Sequence, residues 1–150
     1  MTNDKKEYSF YGWQGANVSP ISEEYKKITD PKMLFDLMSD IWCEYSCAPR
    51  LRKGWSKENM TLGQCSVTSF LIQDIFGGKV YGVPLPEGGY HCFNEVGGVV
   101  FDLTDAQFGG QKLDYALTHE QSRETHFADQ GKYARYLYLK EELRKKLLKI

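Results

Sequence analysis

The sequence predicts an α+β domain, and three observations carry that expectation. Apolar residues recur at helical spacing in three stretches, after Asp30, from Cys65 and from Lys132. Between the second and third stretches, short runs separated by glycine pairs read as antiparallel strands. The length of 150 residues suits one core and is short for two. With 41% hydrophobic and 26% charged residues, the composition is that of a folded chain.

Residues 1–29 are expected to form an irregular, aromatic-rich arm, and residues 30–150 a single domain. Tyr8, Phe10, Tyr11 and Trp13 cluster in the arm, where Gly12, Gly15 and Pro20 interrupt any helical period. Asp30-Pro31 reads as an N-cap followed by proline at the first helical position. Leu34, Leu37, Met38, Ile41, Trp42 and Tyr45 then share one face of a first helix, which must end by Pro49. A polar connection carrying Trp55 leads to a second helix beginning at or just before Cys65. Gly77-Gly78 supplies its left-handed stop.

Lys79 to Val83 alternates as a short strand. Tyr90 to Val96 and Val99 to Thr104 form a hairpin about Gly97-Gly98, a dipeptide suited to positive φ. Gln111 to Leu117 is expected to hold another short strand, and His119 to Gln130 a polar surface loop. From Lys132, residues Tyr133, Tyr136, Leu137, Leu143 and Leu147 mark a third helix, with its basic residues near the end where they suit the dipole. Gly88-Gly89 and Gly109-Gly110 lack the strand-and-helix context of phosphate loops and read as turns. The run from Arg144 to Lys149 reads as a solvated helix end.

Charge narrows the function classes. A formal net charge of −1 leaves no basic excess of the kind nucleic acid selects. The start, Met1 to Glu7, has no apolar signal core, and no apolar run approaches the roughly 18 residues needed to span a bilayer. The expectation is a cytoplasmic protein that uses no nucleic acid and no membrane. The near-zero charge also favours an uncharged acyl or amide target over a strongly charged polymer.

Four cysteines and three histidines remain as chemical resources. Without export, the thiols are core residues, metal ligands or a nucleophile. A helix N-terminus stabilises a thiolate, and Cys65 alone sits at one. Cys43 and Cys47 fall late on the first helix, and Cys92 within a strand. Of the histidines, His119 and His126 belong to the polar loop, whereas His91 is on a strand that fixes its direction.

The Gly97-Gly98 turn sets the hairpin register: Val96 opposite Val99, Phe93 opposite Asp102, His91 opposite Thr104. Asp102 then shares a face with His91 as its diagonal neighbour, within roughly 7–8 Å between backbones. Cys92 and Asn94 point to the other face; one slip in register would instead offer Asn94 to the histidine. The expected constellation is a Cys65 nucleophile, a His91 base and an Asp102 orienting group. Gln64, Asn94, Gln107 and Trp55 are further candidates for oxyanion or substrate contacts, and for Gln107 a structural role at a strand end is favoured.

The run from Gly63 to Gly78, with His91-Cys92-Phe93-Asn94 and Phe101 to Phe108, resembles the YunG-like group of small bacterial proteins over about the central third of the chain. That group supplies no substrate. More distantly, the Cys, His, Asp order on helix, strand and strand resembles the papain-like superfamily in its transglutaminase-like and NlpC/P60-like branches. This resemblance implies a papain-like core and the same three roles. The chain departs from papain-type enzymes in two places: Ser66, not an aromatic residue, follows the cysteine, and Gln64 is adjacent to it rather than several residues upstream.

Two function classes follow. One is a thiol hydrolase or acyl transferase acting on an amide or ester of a small molecule or peptide, without a cofactor. The other is a non-catalytic domain that binds a small ligand or peptide in the same cleft. A zinc site using Cys43 and Cys47 with Cys65, Cys92 or His91 is the weaker chemical alternative, because the short Cys-x-x-Cys knuckle is missing. The His-x-Glu signature of zinc deaminases is absent, since Phe93 stands two positions after His91. Nothing in the sequence specifies an oligomeric state.

Overall fold

A computed structural model describes residues 8–150; the first seven residues of the expected arm lie outside it. The fold is α+β. Helix α1 spans Pro31–Ser39, α2 Cys65–Phe76, α3 Arg123–Phe127 and α4 Gln130–Leu148. Strands β1 (Lys79–Pro84), β2 (Tyr90–Val96) and β3 (Val99–Phe101) form an antiparallel sheet in the order β1-β2-β3. Among the described residues, no helix is long and apolar enough to cross a membrane.

Helix α2 is the centre of the core. Val67, Phe70, Leu71, Ile72, Ile75 and Phe76 are all buried, and Thr68 and Ser69 with them. A helix apolar on nearly every side must be enclosed, and α2 packs against β2 on one side and α4 on the other. Asn94 on β2 donates from Nδ2 to Ser69 O at 2.9 Å, which ties the sheet to the helix. On the opposite sheet face, Phe93 packs on Tyr81 and Tyr115, so His91 and Phe93 are covered there by the chain following β3.

The hairpin has the register expected from its turn. Gly97 and Gly98 have φ of 57° and 88°, and Val96 faces Val99. The third strand is shorter than expected: it stops at Phe101, not Thr104. Asp102 N–H donates instead to Tyr11 O at 3.0 Å, so the N-terminal segment takes over where β3 leaves the ladder. The arm's Phe10 is buried and stacks on Phe35 of α1.

Three other expectations are corrected. Helix α1 ends at Ser39, so Cys43 and Cys47 lie in turns and not on a helix. Asp30 caps its start through Met33 N–H, as expected. Beyond Ser39, tertiary contact wins over helical spacing: the Trp42 indole donates to Thr68 Oγ1 at 2.9 Å inside the core. Residues 111–117 form no strand. The polar segment before α4 contains α3, capped by Ser122, and Arg123 on it reaches Asp74 at 3.0 Å and Phe70 O at 3.2 Å. On α4 the buried face runs through Arg135, Tyr136, Leu139, Leu143 and Leu147, whereas Tyr133 and Leu137 are exposed.

Gly78 links α2 to β1 with φ of +76°, where a Cβ would overlap Glu95 O and lie 2.9 Å from Val96 Cα. Gly78→Ala is therefore expected to destabilise the fold by about 2–3 kcal/mol through strain and overlap. Urea denaturation reads that loss directly; a variant within experimental error of the parent would contradict this close approach.

Candidate active site

Cys65 opens α2. The first intrahelical bond is Thr68 N–H to Gln64 O at 3.1 Å, so the N–H groups of Cys65, Ser66 and Val67 precede the ladder and carry the helix's positive end. His91 is buried on β2 and donates from Nε2 to Asp102 Oδ2 at 2.6 Å. The Phe108 ring meets the imidazole edge-on at 4.7 Å. Nδ1 makes no hydrogen bond, and it is the nitrogen left for Cys65, which is close enough for each group to favour the other's charged form.

Asp102 is buried and fully satisfied. Oδ2 accepts from His91 and from Tyr115 Oη at 2.7 Å. Oδ1 accepts from Thr104 N–H at 3.1 Å and Thr104 Oγ1 at 3.3 Å. Four donors fix the plane of one carboxylate.

His91 and Cys65 shift each other's protonation. Burial works against a charged His91, but it is outweighed by the Asp102 charge and hydrogen bond, followed by Cys65. The pKa is pushed up to about 10. At Cys65 the neighbouring Cys92 thiol favours the thiolate, burial opposes ionisation, and His91 favours it again through its charge; the thiol lies well below its ordinary range. A thiol is a weak donor and imidazolium carries a full charge, so His91 is the partner that decides the direction. Cys92 is pushed correspondingly up.

Strand alternation places Cys92 away from the His91 face, yet it also touches Cys65. The reason is the early end of β3. It leaves the flank of β2 open beside residues 90–93, and Cys65 sits there against the Cys92 N–H as well as both side chains. Asp105, half-buried near Asp102, is raised to about 6 by burial and then by the Asp102 charge.

A cleft of about 560 Å³ opens onto Cys65, Ser66 and His91. Gln107 lines it and braces the approach to α2, accepting from Gly63 N–H at 3.2 Å and donating to Thr104 O at 2.9 Å. The other sequence candidates lie elsewhere. Gln64 is buried with Nε2 donating to Cys43 O, Asn94 is engaged with Ser69, and Trp55 Nε1 donates to Met60 O; none of the three lines the cleft.

The structure adds residues that sequence reasoning missed. Tyr115 reaches Asp102 from a segment expected to be a strand. His126, expected in a polar loop, lies on α3, lines the cleft and is held between Gln121 Oε1 at 2.8 Å and Lys132 Nζ at 2.9 Å. Cys43 also has a lowered pKa, burial being outweighed by hydrogen bonds from Ser46 and Tyr138, but it lies outside the cleft. Among the described residues, no group of three or more His, Cys, Asp or Glu could hold a metal ion.

A family model described as "YunG protein" matches residues 30–148. The chain belongs to the YunG family. A curated relative, "Uncharacterized protein YunG" of Bacillus subtilis (strain 168), is 32% identical over 105 residues, covering 70% of this chain and 84% of the relative. No solved structure matches the chain. The family match spans Cys65, His91 and Asp102, and also α3 and α4, which form the far wall of the cleft.

Proposed function

We propose that this YunG-family protein is a cytoplasmic thiol hydrolase or acyl transferase acting on an amide or ester of a small molecule or peptide. The observation that carries this reading is His91, buried between the Asp102 carboxylate and the Cys65 thiol at the open start of α2. The order of the three residues is the one that the papain-like resemblance implies, which supports the same roles for them.

In this mechanism the Cys65 thiolate attacks the carbonyl carbon, and the N–H groups at the start of α2 stabilise the developing oxyanion. The imidazolium of His91 gives its proton to the departing amine or alcohol, leaving Cys65 acylated. Water or an amine then returns a proton to His91 as it attacks the thioester, which releases the acyl group and restores the thiolate. Asp102 keeps the ring oriented and stabilises its charge throughout.

Iodoacetamide labelling followed by mass spectrometry tests the nucleophile. Cys65 is expected to react at least about tenfold faster than Cys43 at pH 7, because it lines the cleft and has a charged neighbour that favours its thiolate. Cys43 is the stricter control, being partly exposed with its own lowered pKa. Equal rates at the two sites would remove the enzyme reading. Fast labelling without acylation by activated esters would favour the binding domain instead.

A further inference from the structure

The cleft holds a charge that the fold does not neutralise. Arg135 on α4 is only 5% exposed, and its Nε is sealed from solvent without a hydrogen-bond partner. Among the described residues its guanidinium makes no hydrogen bond and no ion pair. Arg52 nearby is committed to the carbonyls of Cys47 and Tyr45 at 3.2 and 2.8 Å, and its charge opposes that of Arg135. Asp129, the carboxylate that acts on Arg135 from a distance, caps α4 by accepting from Lys132 N–H at 3.0 Å.

A guanidinium cannot shed its proton to escape burial. Burying part of a guanidinium without a protein partner costs stability, and Arg135 opens onto the cleft, so a ligand there is the natural source of the missing partner. Arg135 lines the same cleft as Cys65 and His91, and Arg50 and Lys132 add positive charge there against Glu87 and Asp129. The guanidinium fork matches an oxyanion with two parallel hydrogen bonds.

We propose that Arg135 binds an oxyanion of the substrate, a carboxylate or phosphate, so that the cleft takes an amide or ester carrying an anionic group. This deepens the thiol-enzyme reading and rests on it for the reacting bond. It also refines the expectation drawn from net charge: the scissile group stays uncharged while the molecule that bears it does not.

Iodoacetate and iodoacetamide share a reactive carbon and differ in charge, which makes their rate ratio at Cys65 a direct probe. Relative to the same ratio at Cys43, iodoacetate is expected to be favoured by about threefold at Cys65, through the positive field that Arg135 adds to the cleft they share. Arg135→Met should abolish that preference, leave the iodoacetamide rate within about twofold, and melt no lower than the parent, since it removes an uncompensated charge. Arg135→Lys should retain part of the preference. Succinate and inorganic phosphate, tested separately, should raise the melting temperature of the parent and not of Arg135→Met, and the more effective one identifies the oxyanion.

An unchanged rate ratio in Arg135→Met, or no stabilisation by either anion, overturns the proposal, as does a variant that melts lower and cannot be rescued by lysine. Should iodoacetamide fail to single out Cys65, the nucleophile reading falls, and the melting arm still decides the anion subsite.

Discussion

His91→Ala is expected to slow alkylation of Cys65 at pH 6.5 by about tenfold or more and to move its pH dependence toward that of a free thiol. The replacement removes the charge that His91 sets beside the sulfur, while burial, which raises the pKa, remains. A thiol returned to its ordinary value of about 8.5 is about 1% ionised at pH 6.5. Ionisation alone then predicts a loss of about a hundredfold, and the greater nucleophilicity of a more basic thiolate recovers part of it. The parent should show a flat rate between pH 6 and 8, and the variant a rate that climbs toward pH 8.5. Cys92→Ala is the companion experiment: since a thiol is a weak donor, it should leave the flat profile in place. If Cys92→Ala steepens the profile and His91→Ala does not, the thiolate is stabilised by its neighbouring thiol, and the imidazolium has no part in it.

The parts of this arrangement that could be read from sequence are those set by local rules. Gly77-Gly78 stops α2, the length and apolar content of residues 65–76 specify a buried helix, and the two positive-φ glycines at 97 and 98 set the register that brings Asp102 to His91. What could not be read depends on contacts between distant segments. Trp42 leaves the α1 pattern because its indole reaches Thr68, and Tyr115 avoids a strand because its hydroxyl reaches Asp102. Cys92 obeys strand alternation and still meets Cys65, because the helix start sits at the strand's open flank where alternation does not separate the faces.

Arg135 is a different case, since a usable signal was present. It precedes Leu139, Leu143 and Leu147 at steps of four, along the row that α4 buries, so the period itself places a charge on the apolar stripe. Tyr133 and Leu137, by contrast, are apolar residues that the helix leaves exposed. A charged residue in register with a buried row therefore says more about a site than an apolar residue outside it.

Asp102→Asn is expected to alter both stability and its dependence on pH. The carboxylate accepts from four donors in a buried place, and replacing it leaves His91 beside a neutral amide, with burial opposing its charge. Breaking a buried charged network by removing one partner costs about 3–5 kcal/mol, or roughly 10 °C in melting temperature for a domain of this size. The pH dependence follows from the two shifted groups. Raised to about 10, His91 contributes stability that is complete below its unfolded value of about 6.5 and is lost as pH rises toward 10. The depressed Cys65 contributes stability that is complete above about 8.5 and is lost as pH falls toward its folded value. Between about 6.5 and 8.5 the two slopes cancel, because the unfolded chain holds one proton on sulfur and the folded chain holds one on the imidazole. Stability should thus be level in that window and fall by about 2 kcal/mol from pH 8.5 to 10. In Asp102→Asn the alkaline fall due to His91 should vanish, and the difference between the two proteins in urea denaturation cancels the titration of groups they share. Parallel curves for parent and variant across pH 7–10 would mean that His91 is not held as a cation, and the charge relation between Cys65 and His91 would have to be abandoned.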